Sequence, residues 1–239
     1  MGIDLERLGK MERQAGLATW ISTHSAEDLV AVGAVLSRAR LFARVNPLNA
    51  HSRREIDGVL AAGATVVMAP MIGSAPDAAE FAGLVGGRAT TIALIESRTG
   101  LDHLPSIAAV NGIDEIHVGL NDLALSLHFT NRWAALAGDL MTDASACVRG
   151  AGKPFGFGGI GRAHADLLPV PSDLVYAEYA RTGATRALIA RSFGVSAATL
   201  GADVARALSR LAEWRAETPE ALAAAHAELG RRVGLAASW

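Results

Sequence analysis

The 239-residue chain has one cysteine, Cys147, so it can close neither an intrachain disulfide nor a cysteine zinc site. That poverty fits a reducing, cytoplasmic compartment. There is no surplus charge of either sign: 22 Lys+Arg stand against 24 Asp+Glu, for a net charge of −2. A nucleic-acid partner would ask for a basic stripe that this balance cannot supply. No uncharged apolar run approaches the ~18–20 residues of a membrane span. The opening Met1-Gly2-Ile3-Asp4-Leu5-Glu6 carries acids where a signal peptide carries bases. A myristoylation start would want Ser or Thr where Glu6 stands. Disorder is excluded as well, because 51% of the residues are hydrophobic and the net charge is small. The reading is a soluble cytoplasmic protein with no nucleic-acid and no membrane partner.

What is present is one grammar, repeated. Short β-branched apolar runs at Gly2–Leu5, Arg40–Val45, Thr65–Ala69, Thr90–Ile95, Glu115–Gly119, Pro154–Phe157 and Thr185–Ala190 predict strands. Between them, Ala26–Arg38, Ser52–Ala62, Ala75–Val85, Leu101–Val110, Arg132–Arg149 and Asp173–Arg181 have helical period. Glycines at Gly63, Gly112, Gly152 and Gly183 mark helix-to-strand joints, where a left-handed residue ends the helix. Strands alternating with helices predict a parallel sheet buried on both faces. The length suits a TIM-type (β/α)8 barrel of about 250 residues, and no linker or low-complexity stretch divides the chain.

The strand count is one short of eight. Gly2-Ile3-Asp4 repeats the joint Gly112-Ile113-Asp114, so the chain reads as entering at a strand with its first β/α unit lacking or shortened. The alternative is a weak strand near Ala18–Ser22. The tail, Ser196–Arg215 and Pro219–Gly234, holds more amphipathic helix than one barrel unit needs. The expected organisation is a β/α barrel over residues 1–195 and C-terminal helices over 196–239 that pack on a neighbouring subunit.

Side chains able to do chemistry collect at predicted strand ends. Glu96 ends the strand Thr90–Ile95, and Asp122 lies just past Glu115–Gly119. In a parallel barrel both sit at the carboxyl face, where active sites of this fold lie. Two carboxylates with waters and a chelating substrate suit the oxygen shell of Mg²⁺ or Mn²⁺. The plain alternatives are a solvated strand-end Glu96 and an Asp122 that caps a helix. Arg44 lies near the same rim, as a fork for a carboxylate or enolate oxygen or as a structural ion pair. Gly156-Phe157-Gly158-Gly159-Ile160-Gly161 matches G-x-G-x-x-G, but it follows a late strand and runs into Pro169 and Pro171, which argues against a dinucleotide. The glycines read instead as a tight rim turn or a close backbone approach. The seven histidines show no metal-ligand spacing; His117 reads as a barrel-wall residue and Cys147 as a small buried hydrophobe.

These segments resemble the HpcH/HpaI aldolase and citrate lyase β-subunit family, of the phosphoenolpyruvate/pyruvate barrel superfamily. The likeness runs from Gly2 to about Phe193. Ala93-Leu94-Ile95-Glu96-Ser97-Arg98-Thr99-Gly100 is similar to the family segment whose Glu binds metal. Ile107–Asp114 followed by Gly119-Leu120-Asn121-Asp122-Leu123-Ala124 is similar to the stretch whose Asp is the second ligand. Ala43-Arg44-Val45-Asn46 resembles the strand that carries the pyruvate-binding Arg. The resemblance implies a metal pair of Glu96 and Asp122, an Mg²⁺ or Mn²⁺ cofactor, and C-terminal helices exchanged in a homo-oligomer, trimer or hexamer. One position departs. Asp4-Leu5-Glu6-Arg7 stands where class II pyruvate aldolases have Asp-x-Glu-His and the CoA-ester lyases Asp-Leu-Glu-Asp. An arginine cannot take the proton that the histidine takes.

The leading expectation is therefore a metal-dependent carbon–carbon lyase or aldolase acting on a 2-oxo acid through pyruvate-enolate chemistry. Arg44 would bind the enolate oxygen, Gly119, Leu120 and Asn121 the substrate carboxylate, and Glu6 or a metal-bound water would serve as base. Two rivals stand beside it. One is a citryl- or malyl-type CoA-thioester lyase with Arg162 near the phosphates. The other is a catalytically silent barrel acting as a binding or scaffold subunit.

Overall fold

The computed structural model describes residues 2–15, 22–163, 170–190, 193, 196 and 198–235. They fall into two compact units, residues 1–117 and 118–239. The first unit holds β1 (Gly2–Asp4), α1 (Lys10–Arg13), α2 (Ala26–Val35), β2 (Phe42–Arg44), α3 (Ser52–Ala61), β3 (Val66–Ala69), α4 (Ala75–Val85), β4 (Thr90–Ile95), α5 (Arg98–Asp102), α6 (Leu104–Ala108) and most of β5 (Glu115–Val118). The second holds α7 (Leu120–Ser126), a 3-10 turn (Arg132–Leu136), α8 (Leu140–Gly150), β6 (Phe155–Ile160), α9 (Ser172–Thr182), β7 (Arg186–Ile189), α10 (Leu200–Arg215) and α11 (Pro219–Leu235). The α/β alternation expected of the chain is present, with seven strands among the described residues.

In the first unit β1 pairs with β2, β2 with β3 and β3 with β4, all parallel. Asp4 lies opposite Arg44, Arg44 opposite Met68, and Met68 opposite Ile92. Residues opposed in register share a face, and alternate residues along a strand return to it. Asp4, Arg44, Met68 and Ile92 therefore line one face, and Glu96, four residues beyond Ile92, continues it. Ile3, Ala43, Val67 and Ala93 fill the other face and are buried. Strands covered on both faces explain why β3 is apolar at every position.

Local chemistry sets several boundaries. The Ser74 hydroxyl accepts from the Asp77 amide and starts α4, and a left-handed Gly86 ends it, so the expected Ala75–Val85 is met residue for residue. The Ser25–Asp28 capping box starts α2 as expected, but Leu36 is extended and the helix stops short of Arg38. The predicted helix Leu101–Val110 is two short helices instead. Ser97 caps an earlier start at Arg98, and Pro105, without an amide to donate, opens a second helix after His103. Likewise Arg132–Arg149 breaks at Ala137-Gly138-Asp139 into the 3-10 turn and α8. Strand β6 runs to Ile160 and so takes in the glycines read as a rim turn. A Cβ at Gly159 would lie 3.0 Å from the Cβ of Ala190, just past β7, so a side chain there would make the neighbouring chain give. Cys147 is half-exposed on α8, not buried. The weak strand weighed at Ala18–Ser22 lies almost wholly outside the described residues.

In the second unit β6 pairs parallel with β7. The fully buried Phe157 and Tyr179 rings stack at 4.0 Å, and the Tyr179 hydroxyl donates to the Phe157 carbonyl at 2.6 Å. Helix α11 lies against α9 of its own chain. It buries Ala225, Leu229 and Val233, and His226 Nδ1 meets the buried Glu178 carboxylate at 2.9 Å. These contacts lie within the chain, and packing of the C-terminal helices on a neighbouring subunit stands beside them as a proposal. No helix among the described residues is long and apolar enough to cross a membrane.

Candidate active site

Strand β1 ends at Asp4, and the chain then bends so that Glu6 turns inward with 1% of its surface exposed. Gly9, at φ 68°, reverses the path in a left-handed conformation that a side chain would strain. That reversal opens α1 and brings Lys10 and Arg13 back over the strand end. Lys10 Nζ donates to Glu6 Oε2 at 2.9 Å and to Asp4 Oδ2 at 3.2 Å. Arg13 Nη2 donates to Glu6 Oε1 at 2.6 Å. From the next strand, Arg44 donates through Nε to Asp4 Oδ1 at 2.8 Å and through Nη2 to Asp4 Oδ2 at 2.5 Å. Its Nη2 also lies 3.4 Å from Glu6 Oε2. Three cations and two carboxylates thus interlock at the carboxyl end of β1 and β2.

Burial works against ionising Asp4, but the hydrogen bonds and charge of Arg44, with Lys10 and the Glu6 amide, prevail and hold its carboxyl below the ordinary range. The same balance acts on Arg44. Burial opposes the charge, and Asp4, Glu6 and Glu96 more than restore it. Glu96, at 3% exposure, is not the solvated strand end weighed above. Its Oε1 accepts from the Met71 amide at 3.3 Å. Met71 is held at φ 58°, a costly conformation for a residue with a side chain, in the loop that aims this amide. Arg44 and Glu96 therefore share a face and an electrostatic field.

Arg7, the departure from the family pattern, does not point into this cluster. Its guanidinium donates to the carbonyls of Thr23 at 3.1 Å and His24 at 2.7 Å. The Asn46 side-chain oxygen accepts from the Arg7 amide at 2.7 Å and the Leu8 amide at 2.9 Å. Asn46 in turn donates from its own amide and its side chain to Glu55 Oε1, at 3.0 and 2.8 Å. Burial pushes the Glu55 carboxyl up, with both Asn46 hydrogen bonds opposing. Arg7 and Asn46 thus brace the loop that carries Glu6.

In the second unit Asp122 is buried at 7% exposure. It is not a helix cap: Gly119 occupies the N-cap of α7, and Asp122 is the third residue of the helix. Leu120 is buried, while Gly119 and Asn121 are half-buried. Among the described residues no group of three or more His, Cys, Asp or Glu could hold a metal ion, and Glu96 and Asp122 are each buried carboxylates. Buried carboxylate oxygens fit a hard cation such as Mg²⁺ or Mn²⁺. Arg162 donates to the Phe193 carbonyl at 3.1 Å and lies 3.4 Å from Asp203. The CoA reading, which wanted Arg162 for a phosphate, gains nothing from that placement. His117 is buried in β5, as expected of a wall residue.

The sequence reading missed Lys10, Arg13, Asn46 and Met71. Lys10 and Arg13 stand at i and i+3 behind a glycine, the one signal that could have placed them on a single turn.

Comparison with known proteins now bears on this arrangement. Residues 22–167 match the HpcH/HpaI aldolase/citrate lyase family. A hydroxypyruvate/pyruvate aldolase of Roseovarius nubinhibens is 30% identical over 101 residues, 42% of this chain and 38% of that protein. The matched stretch thus spans under two-fifths of that relative's length. Among solved structures, an HpcH/HpaI aldolase/citrate lyase family protein from Burkholderia cenocepacia aligns with TM-score 0.59 at 20% identity, covering 88% of this chain and 84% of that one. Protein CitE from Mycobacterium tuberculosis, in complex with magnesium and pyruvate, aligns with TM-score 0.56 at 18% identity, covering 87% and 84%. At such identities the likeness shows the fold: α/β, of the TIM-barrel type seen in HpcH/HpaI structures, with seven strands described here.

Proposed function

Because the chain belongs to the HpcH/HpaI aldolase/citrate lyase family, we propose that it is a divalent-metal-dependent carbon–carbon lyase or aldolase acting on a 2-oxo acid. The observation that carries this reading is the Arg44 guanidinium, fixed by Asp4 and Glu6 on the face that Glu96 continues. Glu96 and Asp122 are the carboxylates assigned to Mg²⁺ or Mn²⁺. When bound, the cation supplies a Lewis acid for the carboxylate and 2-oxo oxygens of the substrate.

In cleavage of a 4-hydroxy-2-oxo acid the C4 hydroxyl proton passes to water, the freed O–H pair forms the aldehyde C=O, and the C3–C4 pair delocalises onto the 2-oxo oxygen. The planar fork of Arg44 meets that growing negative charge, and it does so more strongly in the transition state than in the substrate. Asp4 keeps the fork from rotating, so little reorganisation accompanies the charge. The amides of Gly119, Leu120 and Asn121 hold the substrate carboxylate. Glu6 fixes the cations of α1 beside the reacting atoms.

The test is release of pyruvate from assorted 4-hydroxy-2-oxo acids, with and without EDTA. Turnover that EDTA abolishes and Mg²⁺ or Mn²⁺ restores is expected. Turnover without metal, or none with any such substrate, would overturn the reading.

A further inference from the structure

A carbon–carbon lyase must move protons, and the interlocked cluster of Asp4, Glu6, Lys10, Arg13 and Arg44 contains no histidine. Each oxygen of Glu6 already accepts from a cation, at 2.6 Å from Arg13 and 2.9 Å from Lys10. Asp4 is engaged at both oxygens by Arg44 and Lys10. The guanidinium groups of Arg13 and Arg44 do not release protons at working pH. Within this cluster one group remains that can give up and regain a proton: the ammonium of Lys10.

Its identity is informative. The chain has 22 basic residues, and only Lys10 and Lys153 are lysines; the other twenty are arginines. For pairing with carboxylates, arginine is the better partner, with a planar fork and weaker hydration. What lysine offers instead is a transferable proton. In an arginine-dominated chain, a lysine occupies a position of 4% exposure between two carboxylates. Lys10 Nζ and Arg44 Nη2 reach the same two oxygens, Asp4 Oδ2 and Glu6 Oε2. The ammonium therefore sits one carboxylate away from the guanidinium assigned to the enolate oxygen. Two of its three N–H bonds point to Asp4 and Glu6, and the third meets no acceptor among the described residues.

We propose that Lys10 is the acid–base residue of this site. The assignment rests on the pyruvate-enolate reading above. After cleavage, the π electrons of the enolate form a new C–H bond at C3 with the proton of Nζ, the oxyanion returns to a ketone, and the N–H electron pair stays on the neutral amine. Asp4 and Glu6 draw a proton back onto that amine from water. In reverse, the amine removes a C3 proton of pyruvate. The charges around Lys10 are Asp4 on β1, Glu6 and Arg13 around α1, and Arg44 on β2, on which Glu96 also acts.

The test separates proton transfer from charge. Lys10→Arg keeps the cation between Asp4 and Glu6 but cannot act as an acid–base group; Lys10→Met removes both. Exchange of the pyruvate C3 protons with deuterium, with Mg²⁺ present, should fall at least about a hundredfold in Lys10→Arg. Calorimetric binding of Mg²⁺ plus oxalate should stay within a few-fold of wild type in that variant. Lys153→Arg should exchange normally. A second readout needs no turnover. Protein labelled with ¹⁵N-lysine carries two side-chain nitrogens, and that of Lys10 should shift when Mg²⁺ and oxalate are added. Near-normal exchange in Lys10→Arg, or an unmoved Lys10 signal, overturns the assignment and leaves the lyase reading standing. Wild-type protein that binds no oxalate and exchanges no proton overturns both.

Discussion

Arg44 and Asp4 face each other across neighbouring parallel strands as a two-point pair, Nε to Oδ1 at 2.8 Å and Nη2 to Oδ2 at 2.5 Å. The strand register sets the two residues opposite one another, so the fork is aimed by backbone and not by a chance rotamer. Arg44→Lys keeps the charge and loses one of the two contacts. Activity should drop roughly tenfold or more, mainly in kcat, because the orientation lost is one used by the enolate oxygen. Steady-state kinetics decide: a change confined to KM would make Arg44 a uniform substrate binder.

The same pair carries a pH signature. Asp4 has an ordinary value of 3.8 and is held lower in the folded chain, after the contrary push of burial, by Arg44 and Lys10. Its contribution to stability is complete above 3.8 and fades as pH falls through the folded value. Asp4→Asn should therefore be less stable than wild type at pH 7, and the gap should narrow as pH falls below 3.8. Urea midpoints at pH 7, 4 and 3 measure it. A constant gap would show that the neutral shape of the residue, not its charge, matters.

Glu96→Gln and Asp122→Asn each remove one anionic donor from the proposed cation site. Mn²⁺ affinity should weaken by roughly tenfold or more in each, since ligand charge count sets affinity for hard cations. Far-UV circular dichroism should not change. Two variants with wild-type Mn²⁺ affinity would eliminate the two-carboxylate site.

In the second unit, Phe157→Ala empties a site stacked 4.0 Å from Tyr179 and should cost about 3–5 kcal/mol in urea unfolding. Tyr179→Phe keeps the stack but leaves the Phe157 carbonyl without its donor at 2.6 Å, for about 1 kcal/mol. Equal losses in the two would show that the hydroxyl dominates.

A homo-oligomer, trimer or hexamer, with α11 (Pro219–Leu235) at its interface is a proposal that stands beside the intrachain packing of α11 on α9. Ending the chain after Glu217 would strip Glu178 of His226 and uncover α9. Light scattering should then show smaller, less stable particles. A monomeric mass for both forms would refute the oligomer.

Much of the architecture was legible because each element repeats one local rule. Helix α4 follows from the helical period of Ala75–Val85, and β4 from the short apolar and β-branched run Thr90–Ile95. Errors arise where composition and environment disagree. Four of the seven residues from Phe155 to Gly161 are glycine, which suggests turn, yet parallel pairing with β7 carries the strand to Ile160. Helix α7 begins directly on Gly119, with no polar cap to announce it. Of the site, Arg44, Glu96 and Asp122 follow from position at element ends. Lys10 and Arg13 do not, because a four-residue helix has no periodicity to detect. Their meaning arises only when Gly9 folds them back onto Glu6.

Arg7 has a consequence for anyone hoping to place an imidazole beside this cluster. With its guanidinium on the carbonyls of Thr23 and His24, it is a strut between two segments of chain. Arg7→His would add an imidazole and remove the strut in one step, freeing two carbonyls just where the loop bearing Glu6 must hold still. A histidine at position 7 would first need a new tether for residues 22–24.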